Sequence, residues 1–390
     1  MQLSGGTCKN RINQNVTLHI TVYLNTLKII NFKNYQEQDI SFCDKINCFV
    51  GNNGAGKTNL LDAIYYLSFT KSYFNSVDYQ NIKHGEAFFA IHGNYKRNGG
   101  LPDMVSCVQK LGAKKQFRLN QKEYDRISDH IGQFPCVMVS PYDRDLINEG
   151  SDVRRKFIDM VISQFDKPYL DNLIRYNRLL EQRNSVLRQF AENRNVDRGL
   201  LLLIDEQMIA PAMHISEKRS SFLESFAPIF RRYFNFISGR SEEVTIGYES
   251  QLLTGSYLDV ANEAFIKDQS LRYSTSGIHK DDFAFNLEGY PIKRFGSQGQ
   301  QKSFALALKL AQFDFTRNLI NIKPILLLDD IFDKLDPIRV QQIIQLVDND
   351  SFGQVFITDT EPERIRRTFS EVAINHRVFE IDSGNVVFKF

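Results

Sequence analysis

Gly51–Thr58 reads GNNGAGKT. Glycines in a short loop, followed by a lysine and a hydroxyl residue, form the pattern that wraps a phosphate. Backbone N–H groups from Gly54 to Thr58 would surround a β-phosphate, with Gly51, Asn52, Asn53, Ala55 and Gly56 shaping the loop. Lys57 would bridge the β- and γ-phosphates, and the Thr58 hydroxyl would ligate magnesium. The flanks suit this chemistry, because the apolar run INCFV precedes the loop and the helical stretch KTNLLDAIYYLSF follows it. A second stretch, ILLLDD at 325–330, supplies carboxylates. Four apolar residues make a strand buried on both faces. Asp329 at its end can hold magnesium through water, and Asp330 can orient an attacking water. Taken alone, ILLLDD also fits a buried strand ending in a polar turn. DKLD follows, with Asp336 just before Pro337 at a helix start.

A third stretch poses a question. FGSQGQQKS, Phe295–Ser303, runs into the amphipathic FALALKLAQFDF. It is a second helix start suited to an anion, although the chain already has a better phosphate cradle. Ser297, Gln298, Gly299 and Gln300 are its candidate contacts.

The elements that must position these groups alternate between strands and helices. LNTLKIINF, DISF, INCFVG, AFFAIHGNY, MVSCVQKL, KQFRLN and CVMVSP read as strands before residue 145. Between Asp152 and Ser238 the pattern is helical. Leu173, Tyr176, Leu180, Leu187 and Phe190 follow a helical spacing that Arg183 interrupts. Met208, Ile215, Phe222 and Ile229 repeat every seventh residue, with Ala212, Phe226 and Tyr233 alongside. Two long helices joined through AENRNVDRG fit an antiparallel arm or an ordinary helical subdomain. FAFNLEGYPIK then reads as a hairpin, and helix, PILLLDD, helix and QVFITDT follow. The expected fold is α/β, one unit split by a helical insertion. The expected divisions are a loose tail (1–20), an N-terminal lobe (21–145), a helical arm (146–270) and a C-terminal lobe (271–390).

Composition narrows the partners. The 390 residues carry a net charge of +2, so nucleic-acid binding would need local clusters rather than bulk charge. Lys110, Lys114, Lys115 and Arg118 form one such cluster, Arg154, Arg155 and Lys156 another, and Arg364, Arg366 and Arg367 a third. Each is a solvated face or a DNA contact. The five cysteines show no metal spacing and read as free cytosolic thiols. No apolar run is long enough to span a membrane, and the first residues lack the apolar core of a secretory signal. A start assigned too far upstream would also produce such a tail.

GSQGQQKS resembles the signature motif of ABC-type ATPases. The phosphate loop, signature, LLLDD and DKLD occur in that family's order. The resemblance narrows to the RecF family on LKIINFKNY, FVGNNGAGKTNLLDAIYYLS, VMVSPYDRDLI, RRKFIDMVIS, SGIHKDDFAF and GSQGQQKSFALALKLAQF, segments that with LLLDDIFDKLD and ITDT cover Leu27 to Asp359.

What the resemblance implies is an ABC-type head with a short helical arm. It would be a cytoplasmic ATPase using ATP and Mg2+, dimerising with ATP. Ser297 and Gly299 of one copy, with Gln298 and Asp336 at the interface, would meet the nucleotide held by the other. It would bind gapped or junction-containing DNA and work with RecR and RecO to help RecA load. Arg154 and Arg155 match the family's paired arginines, with Asp159 or a DNA phosphate as their partner. A transporter ATPase subunit and a chromosome-maintenance head are the alternatives. The gap from Thr58 to Phe295 is too long for the first, and its helical stretch too short for the second. Lys280 stands where the family commonly has Arg, and Lys334 where Glu is frequent. Thr358 and Asp359 stand where transporters place a switch histidine, which makes Thr358 a candidate site. No clear Q-loop glutamine follows YYLSFTKSYFN, and neither Ser72 nor Asn75 is assigned its place.

Overall fold

The computed structural model describes residues 19–98, 100–193, 198–239, 241–331, 352–370 and 375–388. The tail to residue 18, DKLD with Asp336, and the expected helix from Pro337 lie outside the described residues.

In chain order the strands are β1 (Ile20–Phe32), β2 (Tyr35–Ser41), β3 (Ile46–Val50), β4 (Phe88–Arg97), β5 (Asp103–Lys110), β6 (Gln116–Leu119), β7 (Lys122–Glu123), β8 (Cys136–Val139), β9 (Val244–Glu249), β10 (Asp282–Leu287), β11 (Tyr290–Pro291), β12 (Ile322–Lys323), β13 (Ile325–Leu328), β14 (Val355–Asp359), β15 (His376–Asp382) and β16 (Asn385–Phe388). One sheet runs β16-β15-β3-β14-β13-β8 and is parallel except for its β16 edge. A second, largely antiparallel sheet runs β12-β1-β4-β5-β6-β7, with β2 on β1. The third is β11-β10-β9.

Strands β3, β8, β13 and β14 of the parallel sheet are buried along their whole length, which explains the apolar runs CVMV and ILLL. Alternate residues feed two cores. Phe49, Met138, Leu327 and Phe356 join one, with the antiparallel sheet and helix α1 (Lys57–Phe69). Cys48, Val137, Leu328 and Ile357 join the other, with the helices. Helix α1 lies between the two sheets and touches strands of both. It is therefore buried on nearly every side.

The helical layer comprises the short α2 (Asp145–Asn148), then α3 (Ser151–Ser163), α4 (Lys167–Asn193), α5 (Arg198–Ser238), α6 (Tyr257–Leu271), the short α7 (Ile292–Phe295) and α8 (Gln298–Ile320). Arg183 meets Asp205 and Tyr169 meets Arg219, so α4 and α5 run antiparallel. Arg183 interrupts the apolar spacing because its guanidinium is buried, bonded to Asp205, Asp268 and Ser274. Arg219 is a second buried hub, joining Asp159 on α3 to Asp281 and the Ile278 carbonyl. β9 pairs with β10, and α5 packs on α8, so the helical segment shares one core with the parallel sheet.

Candidate nucleotide-binding site

The loop between β3 and α1 is pressed against its neighbours. A Cβ on Gly51 would sit 2.2 Å from the Ile381 carbonyl oxygen, and one on Gly56 2.4 Å from Asn34 Nδ2. Both glycines have positive φ, 155° and 119°, so no other residue fits either place without strain. Asn34 Nδ2 and the Gly384 amide each donate to the Ala55 carbonyl at 3.0 Å. The Tyr35 hydroxyl donates to the Gly56 carbonyl at 3.0 Å. The β1–β2 and β15–β16 turns thus brace the cradle together. Lys57 Nζ folds across the loop and donates to the carbonyls of Gly51 (2.7 Å) and Asn52 (3.0 Å).

The strand ILLLDD brings its aspartates to the same place, because β13 lies one strand away from β3 in the parallel sheet. Ligand sites form at such carboxyl strand ends. The Thr58 hydroxyl donates to Asp329, 2.9 Å from Oδ1 and 3.2 Å from Oδ2. Burial pushes the Asp329 carboxyl above its usual pKa range, and the hydrogen bonds from Thr58 and Thr358 act against that shift. Asp330 follows beyond the strand with φ 49°.

Lys57, Thr58, Asp329 and Asp330 line one cleft of ≈ 490 Å³, together with Asn53, Gly54, Gly56, Asn59 and Thr358. Lys33, Phe74 and Tyr142 line it too, and the sequence reading missed all three. Lys33 sits in the β1–β2 turn at φ 54°. Its Nζ lies 2.6 Å from the buried carboxylate of Asp62 and over the Phe74 ring. Its place in FKNY, directly before the residues that brace the loop, was the available signal.

Ser72 and Asn75 do not line the cleft. The Ser72 hydroxyl donates to Asp62 at 2.6 Å, and Asn75 Nδ2 donates to Asn81 at 2.9 Å. Both hold the segment after α1 in place.

The second helix start is well formed and stands apart. Ser297 caps α8: its hydroxyl accepts from the Gln300 amide at 3.2 Å, and its own amide donates to Gln300 Oε1 at 2.8 Å. Ser297 and Gln298 are exposed, and Gly299 and Gln300 are half-buried. None of these four residues lines the cleft. Beside them Tyr290 and Phe295 are 60% and 65% exposed, with ring centres 5.3 Å apart.

The basic candidates divide. Arg154 grips Asp282 with two nitrogens at 2.8 and 2.9 Å. Arg155 donates to the Ser151 hydroxyl and the Asp281 carbonyl. The expected fold partner Asp159 is taken by Arg219 instead. Lys115 turns inward to Asp78 and the Thr70 carbonyl, while Lys114 is exposed.

Among the described residues, no three His, Cys, Asp or Glu gather to hold a metal, and no helix is long and apolar enough to cross a membrane.

A phosphate loop and a carboxylate pair on one parallel sheet, backed by an antiparallel sheet and interrupted by helices, define a head of the RecF/RecN/SMC kind. The RecF/RecN/SMC N terminal domain family matches residues 23–381. Within that class the chain belongs to the RecF family. It is 49% identical to the DNA replication and repair protein RecF of Flavobacterium johnsoniae, over 92% of this chain and 100% of that one. It is also 49% identical to the RecF of Phocaeicola vulgatus, over 93% of this chain and 97% of the relative. A solved structure of the recombination mediator protein RecF with ATP, in the RecFOR pathway, superposes with TM-score 0.86 at 28% identity, covering 95% of this chain and 99% of that one. The Smc head of Pyrococcus furiosus shares the fold, with TM-score 0.55 at 16% identity, covering 94% of this chain and 96% of that one.

Proposed function

We propose that this chain is an ATP-binding, slowly hydrolysing switch of recombinational DNA repair and replication restart, closed by a second copy of itself. One observation carries the reading. The cleft has a phosphate loop, a lysine and an aspartate pair, yet the capped, exposed helix start at Ser297–Gln300 lies outside it. A signature that does not serve its own cleft is suited to serve another's.

The residues present fit ATP and Mg2+. Gly51 and Gly56 admit backbone where a side chain would clash. Thr58 and Asp329 offer the hard oxygen donors that magnesium takes, few enough to leave room for phosphate and water. Magnesium would neutralise phosphate charge there. Lys57 would hold the β- and γ-phosphates, and Asp330 would orient the attacking water. In the paired state, Ser297, Gly299 and Gln300 of each copy would face the other's γ-phosphate, with Gln298 and Asp336 at the isologous interface.

On this reading, residues 21–145 and 271–390 are the two lobes of the ATPase and 146–270 its arm. The protein works in the cytoplasm, binds gapped or junction-containing DNA, and acts with RecR and RecO to help RecA load. Among Arg154, Arg155, Lys114 and Lys115, Lys114 is the exposed side chain and the one that would meet a phosphate. Pairing two copies on one duplex can raise avidity ~10²–10⁴-fold without new contacts per copy, so ATP would govern DNA binding through dimerisation.

Sedimentation with ATP, ADP or no nucleotide, each with and without gapped DNA, tests this. A dimer formed with ATP, and DNA binding that follows it, is the expected outcome. A monomer that turns over ATP unaided would overturn the reading.

A further inference from the structure

Thr358 occupies the end of β14, between β3 and β13, and is 1% exposed. Its hydroxyl makes two hydrogen bonds. It donates to Asp329 Oδ1 at 2.9 Å and accepts the Asp330 amide at 2.8 Å. One oxygen therefore touches both aspartates of the site, one through its carboxylate and the other through its backbone.

Each contact has a specific consequence. Asp329 receives two hydroxyl donors, Thr58 and Thr358, both at 2.9 Å from Oδ1, so that oxygen is held by α1 and by β14 together. Asp330 has φ 49°, in the left-handed region where a non-glycine residue is strained. Its amide bond to Thr358 helps hold the residue there. The strand beneath is rigid: Thr358 pairs in register with Phe49, one residue before the strand end that launches the phosphate loop. Thr358 also lines the cleft itself.

We propose that Thr358 is a positioning residue. Its hydroxyl sets the metal-holding carboxylate of Asp329 and the water-orienting Asp330 in register with each other, at the strand end where a transporter head carries its switch histidine. This rests on the proposed ATPase reading. The coupling is built from one neutral hydroxyl, so it requires no proton exchange at that strand end.

Thr358→Val keeps the branched shape and removes the hydroxyl, and Thr358→Ser keeps the hydroxyl. Three quantities are read: ATP turnover, equilibrium binding of a fluorescent ATP analogue across a Mg2+ titration, and melting temperature without nucleotide. In the valine variant, turnover falls ~10- to 100-fold, the range for losing an outer partner of a metal ligand. The Mg2+ concentration for half-maximal analogue binding rises, while analogue binding without Mg2+ and the melting temperature stay near those of the parent. Serine restores turnover and Mg2+ dependence. The proposal is overturned if valine turns over like the parent, or if serine is as impaired as valine. It is equally overturned if valine lowers Mg2+-free binding and melting temperature together, since Thr358 would then only be holding the sheet. Asp330→Asn separates the two levels: normal turnover there removes the reading of Asp330, whereas a dead Asp330→Asn with a normal valine variant removes only the role of Thr358.

Discussion

Thr58 donates its hydroxyl proton to Asp329 across 271 positions of chain, at 2.9 Å. That bond ties the first turn of α1 to the end of β13, and so joins the two halves of a cleft that the helical insertion separates in sequence. Lys57, one residue before Thr58, folds back onto the Gly51 and Asn52 carbonyls. Because these contacts lie within one loop, Lys57→Met leaves the cradle standing without its cation. The expected result is that ATP no longer lowers the DNA dissociation constant, measured by fluorescence anisotropy on gapped duplex. A Lys57→Met protein whose DNA affinity still rises with ATP would disconnect the cleft from DNA binding.

Asp330→Asn isolates charge from backbone. Asparagine tolerates the left-handed region well, so the φ of 49° at this position remains accessible. What is lost is a carboxylate able to orient water. Turnover should fall ~10²–10⁴-fold, the range typical of a general base, and the ATP-bound dimer should persist through a gel-filtration run. Unchanged hydrolysis would place the base elsewhere.

Ser297→Arg puts a large cation at an exposed cap. Losing the cap costs about 1 kcal/mol, too little to unfold a chain of this size. Nucleotide binding by each copy should survive, because Ser297 does not line the cleft. Dimerisation with ATP should disappear in sedimentation velocity. A dimer of parental strength would mean that the exposed signature face is not where copies meet.

The phosphate loop and the ILLLDD strand were legible because each is local: glycine spacing, an apolar run and a terminal carboxylate suffice. The hairpin FAFNLEGYPIK was legible for the same reason, with Glu288 and Gly289 both at positive φ in its turn. Long-range choices were not. Arg183 read as a break in an apolar stripe because its two carboxylates, Asp205 and Asp268, lie on other helices. Arg154 and Arg155 read as phosphate contacts or partners of Asp159, since nothing local announces Asp282 as an acceptor 128 residues away. Lys33, Phe74 and Tyr142 come from the β1–β2 turn, the stretch after α1 and the helical turn after β8, and only the packed sheets place them on one cleft.

Arg219 carries a stability prediction. Its side chain is 2% exposed and pairs with Asp159 and with Asp281, itself 2% exposed. Arg219→Met would leave two buried carboxylates without their cation, at a cost of about 3–5 kcal/mol. Denaturant unfolding should show the loss, and Asp159→Asn in the same chain should recover part of it. If the double variant is no more stable than Arg219→Met, the arginine acts through packing rather than charge.

Acid should expose two buried histidines. His130 is held between the Tyr124 hydroxyl and the Leu67 carbonyl, and burial lowers its pKa from 6.5 to about 4. His279, against Tyr176 and the Ser274 carbonyl, is lowered to about 4, chiefly by burial. Between those values the unfolded chain binds protons that the folded chain refuses, so stability is full above about 6.5 and drains away as pH falls toward 4. Each histidine accounts for roughly 3 kcal/mol across the window. Asp281, whose pKa burial raises, works in the opposite sense. Comparing variants therefore isolates the imidazole. His130→Gln should melt lower than the parent at about pH 7.5 yet lose less melting temperature on moving to about pH 5. An identical acid slope in the two proteins would show that the proton is taken up somewhere other than His130.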